Sequence, residues 1–132
     1  MKNPPLLKDT GRGFSVFYHD RHLYNTKEPF DRAVQKAKGL VLQKNTLYLL
    51  YSPLLFYGVS EVLLNLPENS FVLFIEFSGD LYNLSKTHMP DVIKSSKLCR
   101  LLENTESSSV IETINSLDVS NFRRVRVVNL SG

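Results

Sequence analysis

The chain holds a single cysteine, Cys99, so it can form neither an internal disulfide nor a cysteine-rich metal site. No stretch approaches the ~18–20 apolar residues of a membrane span. The opening residues, with Pro4, Pro5 and two lysines, lack an apolar core of signal-peptide length. There is no internal repeat, no low-complexity tract and no long block of like charge. A net charge of +3 falls short of the concentrated basic character of a nucleic-acid binder. These absences turn attention from membrane and nucleic-acid partners to a soluble, cytoplasmic domain.

What is present is a core. The 132 residues are 42% hydrophobic, which suits one domain of ordinary size. The chain is organised around residues 46–77. Thr46, Leu47, Tyr48, Leu49, Leu50 and Tyr51 form one apolar run, and Phe71, Val72, Leu73, Phe74 and Ile75 form another. Neither alternates cleanly, which is the pattern of strands buried on both faces of a parallel sheet. Between them Val59, Val62, Leu63 and Leu66 recur at helical spacing, and Pro67 stops the pattern. The whole reads as a βαβ unit.

Residues 1–12 read as an irregular arm. Phe14, Val16 and Tyr18 alternate as in a strand, His19-Asp20-Arg21 suits a turn, and His22-Leu23-Tyr24 returns as a second strand. Asn25 or Thr26 caps a helix in which Pro29 is tolerated early and Phe30, Ala33, Val34 and Ala37 make one apolar face ending at Gly39. Beyond Phe77, a short helix at 81–84, a turn at 91–96, a strand at 98–102, a helix carrying Val110, Ile111, Ile114 and Leu117, and a strand at 124–130 follow. The expected fold is α/β: a mainly parallel, Rossmann-like sheet (46–132, βαβαβαβ) with helices on both faces, preceded by a hairpin and helix (13–39). The domain is expected to be the N-terminal part of a longer protein.

The order of these elements resembles the N-terminal domain shared by motility-associated-factor flagellin glycosyltransferases and hydroxymethylpterin pyrophosphokinase-like proteins. That family has His-Ser, Tyr-Asp-Pro and Glu-Ala at its first helix. Here the same place reads from Tyr24 to Ala33, with Pro29 and Ala33 at the family spacing and Glu28 where it has an acid. Asn25 and Lys27 replace its serine and aromatic. The family then has a strand, alternating glycines and Gly-Tyr-His leading to Glu and Leu. In this chain Tyr57, Glu61 and Leu63 fit, while Ser52, Leu54 and Phe56 occupy the glycine positions. Ile75-Glu76 matches the end of the second core strand.

The lost glycines bear on chemistry. Glycine lets the backbone approach a pyrophosphate and adopt positive φ, so that N–H groups and the helix dipole hold the anion. Leu54 and Phe56 obstruct that approach, and Pro53 removes a donor. Ser52 and the N–H groups near residues 55–57 are the remaining phosphate partners. Glu76 stands where a Rossmann acid binds a ribose hydroxyl, and a helix cap or a lysine pair is its plainer role. His19 and His22 suit a turn, Cys99 a buried apolar position, and Arg123, Arg124 and Arg126 a charged edge strand.

Two functions follow. The resemblance with its lost glycines implies a non-catalytic module that packs against a downstream domain or a protein partner, with Phe56 and Tyr57 as contact candidates and no cofactor. The alternative is a transferase domain that takes a nucleotide or nucleotide sugar near Ser52, Tyr57, Gly58 and Glu76.

Overall fold

The computed structural model describes residues 4–102, 112, 115 and 122–131. Four strands, β4 (Thr46–Tyr51), β5 (Phe71–Ile75), β6 (Cys99–Leu101) and β7 (Arg124–Val128), form an all-parallel sheet in the order β6-β5-β4-β7. Strand order runs outward from β4 through β5 to β6, then reverses to place β7 on the other side of β4. Leu47, Val72, Leu73 and Phe74 have no exposed surface. Burial on both faces is why the two apolar runs do not alternate.

One face of this sheet presents Tyr48, Leu50, Val72, Phe74 and Val128. It is covered by α1 (Pro29–Lys38) through Ala33 and Ala37, by α2 (Val59–Leu64) through Val59 and Val62, and by α4 (Asp91–Lys94) through Ile93. The other face gathers Leu47, Leu73, Ile75 and Leu102. Val110, Ile111, Ile114 and Leu117, which carry the helix expected around residues 110–117, lie outside the described residues.

The N-terminal region differs from the expected irregular arm and two-stranded hairpin. Leu6–Asp9 is a strand, β1, paired antiparallel with β2 (Phe14–Tyr18), which pairs in turn with β3 (Arg21–His22). The turn that permits this pairing has Gly11 at φ 84, with its N–H donated to Asp9 Oδ1 at 2.8 Å. All four β1 residues are exposed, so the strand has no buried face to mark it in the sequence. The β2–β3 turn places His19 and Asp20 at φ 50 and 59, the left-handed pair that matches the twist of a tight hairpin.

The expected cap of α1 is shifted. Glu28 is the residue before the helix, and Asn25 Oδ1 instead accepts from the N–H groups of Lys27 and Glu28, each at 2.9 Å. Pro29 opens the helix, where its missing N–H costs no bond. A third apolar cluster joins the two sheets: Val16, Tyr18 and Tyr24 pack on Leu54 and on Leu81 of α3 (Gly79–His88).

Candidate functional site

The segment from the end of β4 to the start of α2 has a regular backbone. Ser52, Leu54, Phe56 and Gly58 lie at φ 51, 53, 62 and 82. Every second residue is left-handed. The first three, Ser52, Leu54 and Phe56, are the positions the resemblance assigns to glycine; the fourth, Gly58, lies outside them. Such a conformation costs a residue with a Cβ about 1–2 kcal/mol, so Leu54 and Phe56 must be held there by packing. Leu54 is fully buried in the cluster between the sheets, and Phe56 meets Phe74 edge-on at 5.2 Å between centroids.

Several polar groups of this loop are paired within the protein. Tyr24 reaches in from the N-terminal region: its hydroxyl accepts the Leu55 N–H at 3.0 Å and donates to the Pro53 carbonyl at 3.1 Å. Phe56 N–H donates to the Pro53 carbonyl at 2.8 Å, and Ser52 N–H to the Ile75 carbonyl at 2.9 Å. Burial pushes the Tyr24 phenol well above its ordinary range, against the opposing pull of the Leu55 and Tyr57 N–H groups. A neutral hydroxyl therefore sits where a phosphate oxygen would meet these amides.

The four candidate residues are not gathered into one site. Ser52 follows β4 and Glu76 follows β5; the preceding residues Tyr51 and Ile75 are register partners, so the two occupy neighbouring strand ends. Tyr57 turns away, donating to the Phe14 carbonyl at 3.0 Å and packing on Tyr24 and Phe30. Burial raises its phenol as well. Gly58 serves the contact between α1 and α2: a Cβ there would stand 2.6 Å from the Ala33 carbonyl oxygen. Phe56 is buried and Tyr57 half-buried, so neither is the exposed contact residue that the sequence suggests.

Glu76 is 6% exposed. Its Oε1 accepts the Ser78 N–H at 3.0 Å, and Ser78 Oγ in turn accepts the Leu81 N–H that opens α3. The helix-supporting role is thus real. Glu76 Oε2, however, is buried with no hydrogen-bond partner among the described residues, an arrangement that native proteins rarely leave unused.

A second feature has no signature in the sequence. On the β7 side of Ser52 lies a cleft of about 210 Å³, at the carboxyl ends of β4 and β7, where the strand order reverses. Arg21, Ser52, Asn129 and Ser131 supply its polar lining; Leu54 and Leu81 form part of the wall. Arg21 comes from the β2–β3 hairpin, and no local motif announces that this turn reaches the end of a strand in another sheet.

The other polar candidates have local roles. His19 lies in the hairpin turn, and His22 Nδ1 is 3.3 Å from Ser15 Oγ. Cys99 is buried with Sγ 3.5 Å from the Ile93 carbonyl, and burial raises its thiol, which keeps it unreactive. Among the described residues no helix is long and apolar enough to cross a membrane.

An uncharacterised protein of Treponema pallidum (strain Nichols) is 28% identical to the chain over 129 residues, covering 98% of this chain and 22% of that protein. The chain thus spans about a fifth of the length of this relative. No family model matches the sequence, and no solved structure matches it.

Proposed function

We propose that this chain is a Rossmann-like module that packs against another domain or subunit in a protein of the motility-associated-factor type and does not itself carry out transfer chemistry. The carrying observation is the filled loop: the Tyr24 hydroxyl occupies the Leu55 amide at 3.0 Å while Leu54 is wholly buried beneath it. A phosphate at this place would have to displace both. The strand order β6-β5-β4-β7 supports the Rossmann-like reading, because it is the order of the first four strands of that sheet. The resemblance in element order supports the family, and the much longer relative supports a module within a larger chain.

A docking surface is present in kind. Val125 and Val127 of β7 are 46% and 66% exposed, and they pair in register with Leu47 and Leu49, so an apolar face continues outward to the edge of the sheet. Burying that strip against a neighbouring domain recovers about 25 cal/mol per Å² of apolar surface.

One observation favours the alternative, a nucleotide-using transferase domain. Glu76 Oε2 is a buried acceptor without a donor among the described residues, at the strand end where a ribose hydroxyl would lie. Calorimetric titration with UDP-N-acetylglucosamine, ATP and S-adenosylmethionine separates the readings. The packing module gives no saturable heat that depends on Glu76. Saturable binding that Glu76→Ala abolishes in a still-folded protein overturns it in favour of the transferase.

A further inference from the structure

We propose that the cleft between the ends of β4 and β7 is a binding site for a small phosphate monoester, held by side-chain donors instead of a glycine-loop backbone. Among the described residues, the polar lining of the cleft carries hydrogen-bond donors and no carboxylate. Arg21 brings a guanidinium, and its only charged neighbour in sequence, Asp20, is not part of the lining; among the described residues the one ion pair is Arg12–Glu28, elsewhere on the surface. Asn129 is turned into a donor by its neighbour: Ser131 Oγ donates to Asn129 Oδ1 at 3.1 Å, which leaves the amide N–H groups as its free function. Ser52 offers a hydroxyl from a backbone fixed at φ 51.

The donors arise from three separate elements: the hairpin, the end of β4 and the end of β7. Convergence of a guanidinium, an amide and a hydroxyl suits the three terminal oxygens of a monoester better than the two of a carboxylate. Leu23 and Leu81 give the remaining wall an apolar surface for a short carbon skeleton. The volume of about 210 Å³ lies below the ~300–1,000 Å³ usual for drug-sized ligands and suits a small ester. The site shares Ser52 with the filled loop but uses neither that loop's amides nor Glu76, so the two readings can fail separately.

The test is a titration followed by amide chemical shifts at low ionic strength, with glycerol 3-phosphate as probe and glycerol, inorganic phosphate and lactate as comparisons. Glycerol 3-phosphate is expected to saturate, with shifts centred on residues 51–52 and 129–131, and glycerol is expected to give none. Arg21→Ala should weaken binding at least tenfold, and Asn129→Asp, which replaces a donor by a carboxylate, should remove it. Arg21 and Asn129 are exposed, so both variants keep the fold; Arg12→Ala, remote from the cleft, should bind as the parent does. Failure to saturate, or equal binding by Arg21→Ala, overturns the site. Lactate binding as tightly as glycerol 3-phosphate overturns the phosphate assignment, and inorganic phosphate doing so overturns the ester. Nucleotide binding lost on Glu76→Ala but kept in Arg21→Ala would sink the packing reading without touching this one.

Discussion

Two spaces flank the end of β4, and they treat polar groups in opposite ways. On the α2 side, the Leu55 N–H turns onto Tyr24 and the Phe56 N–H onto the Pro53 carbonyl, and Leu54 and Phe56 fill the volume. On the β7 side, Arg21, Ser52 and Asn129 border an open cleft. Both spaces are made by the same strand end. The first shows that a backbone path suited to glycine survives with large side chains when a neighbouring sheet packs on them. The second shows that capacity for an anion depends on which donors are left over, and here the leftover donors are side chains.

The strongest way to break this contrast is at the one glycine left in the loop. Gly58→Ala sets a Cβ 2.6 Å from the Ala33 carbonyl oxygen at φ 82. Overpacking and left-handed strain together should cost about 3 kcal/mol, read as a lower urea midpoint with unchanged slope. Leu54→Gly asks whether packing or strain governs the filled side. Loss of a buried leucine side chain costs about 2–5 kcal/mol and relief of the left-handed backbone returns about 1, so a net loss of about 2 kcal/mol is expected. A gain in stability would mean that strain dominates.

Tyr24→Phe tests the plug itself. It leaves the Leu55 N–H and the Pro53 carbonyl short of a partner and should cost about 1–2 kcal/mol. It should also change the alkaline limb. The folded-state pKa of Tyr24 lies above its unfolded value of 10.0, so the folded protein holds the proton longer. Its contribution is complete below pH 10 and is lost as pH rises beyond, with a slope of up to about 1.4 kcal/mol per pH unit. Urea midpoints at pH 9 and pH 11 should therefore fall less in Tyr24→Phe than in the parent. The smallest effect belongs to the open side: Ser52→Gly removes left-handed strain without emptying a core and should stabilise by about 0.5–1 kcal/mol.

The sequence showed the parallel strands well, because two-sided burial leaves uninterrupted runs such as Phe71 to Ile75. It showed the substituted glycine positions too, since Ser52, Leu54 and Phe56 fall at the spacing of the left-handed residues. It did not show β1, whose exposure erases any alternation. Nor did it show Tyr24 as the loop's partner, because a contact across 31 residues leaves no local trace. Arg21 and Asn129 were invisible for the same reason: each is ordinary in its own segment, and only tertiary packing makes them neighbours. Phe56, a contact candidate in the sequence, is buried, because an aromatic in a loop carries no sign of which way the chain turns.

The reach of Tyr24 into the β4–α2 loop has a practical corollary for dissecting the molecule. A cut near residue 40 looks natural, since it separates the antiparallel region from the parallel sheet. That cut would strip residues 53–55 of the hydroxyl that holds them and uncover Leu54. Any minimal fragment meant to fold must therefore keep its N-terminal third, and a truncated product lacking it should be sought among aggregates, not in the soluble fraction.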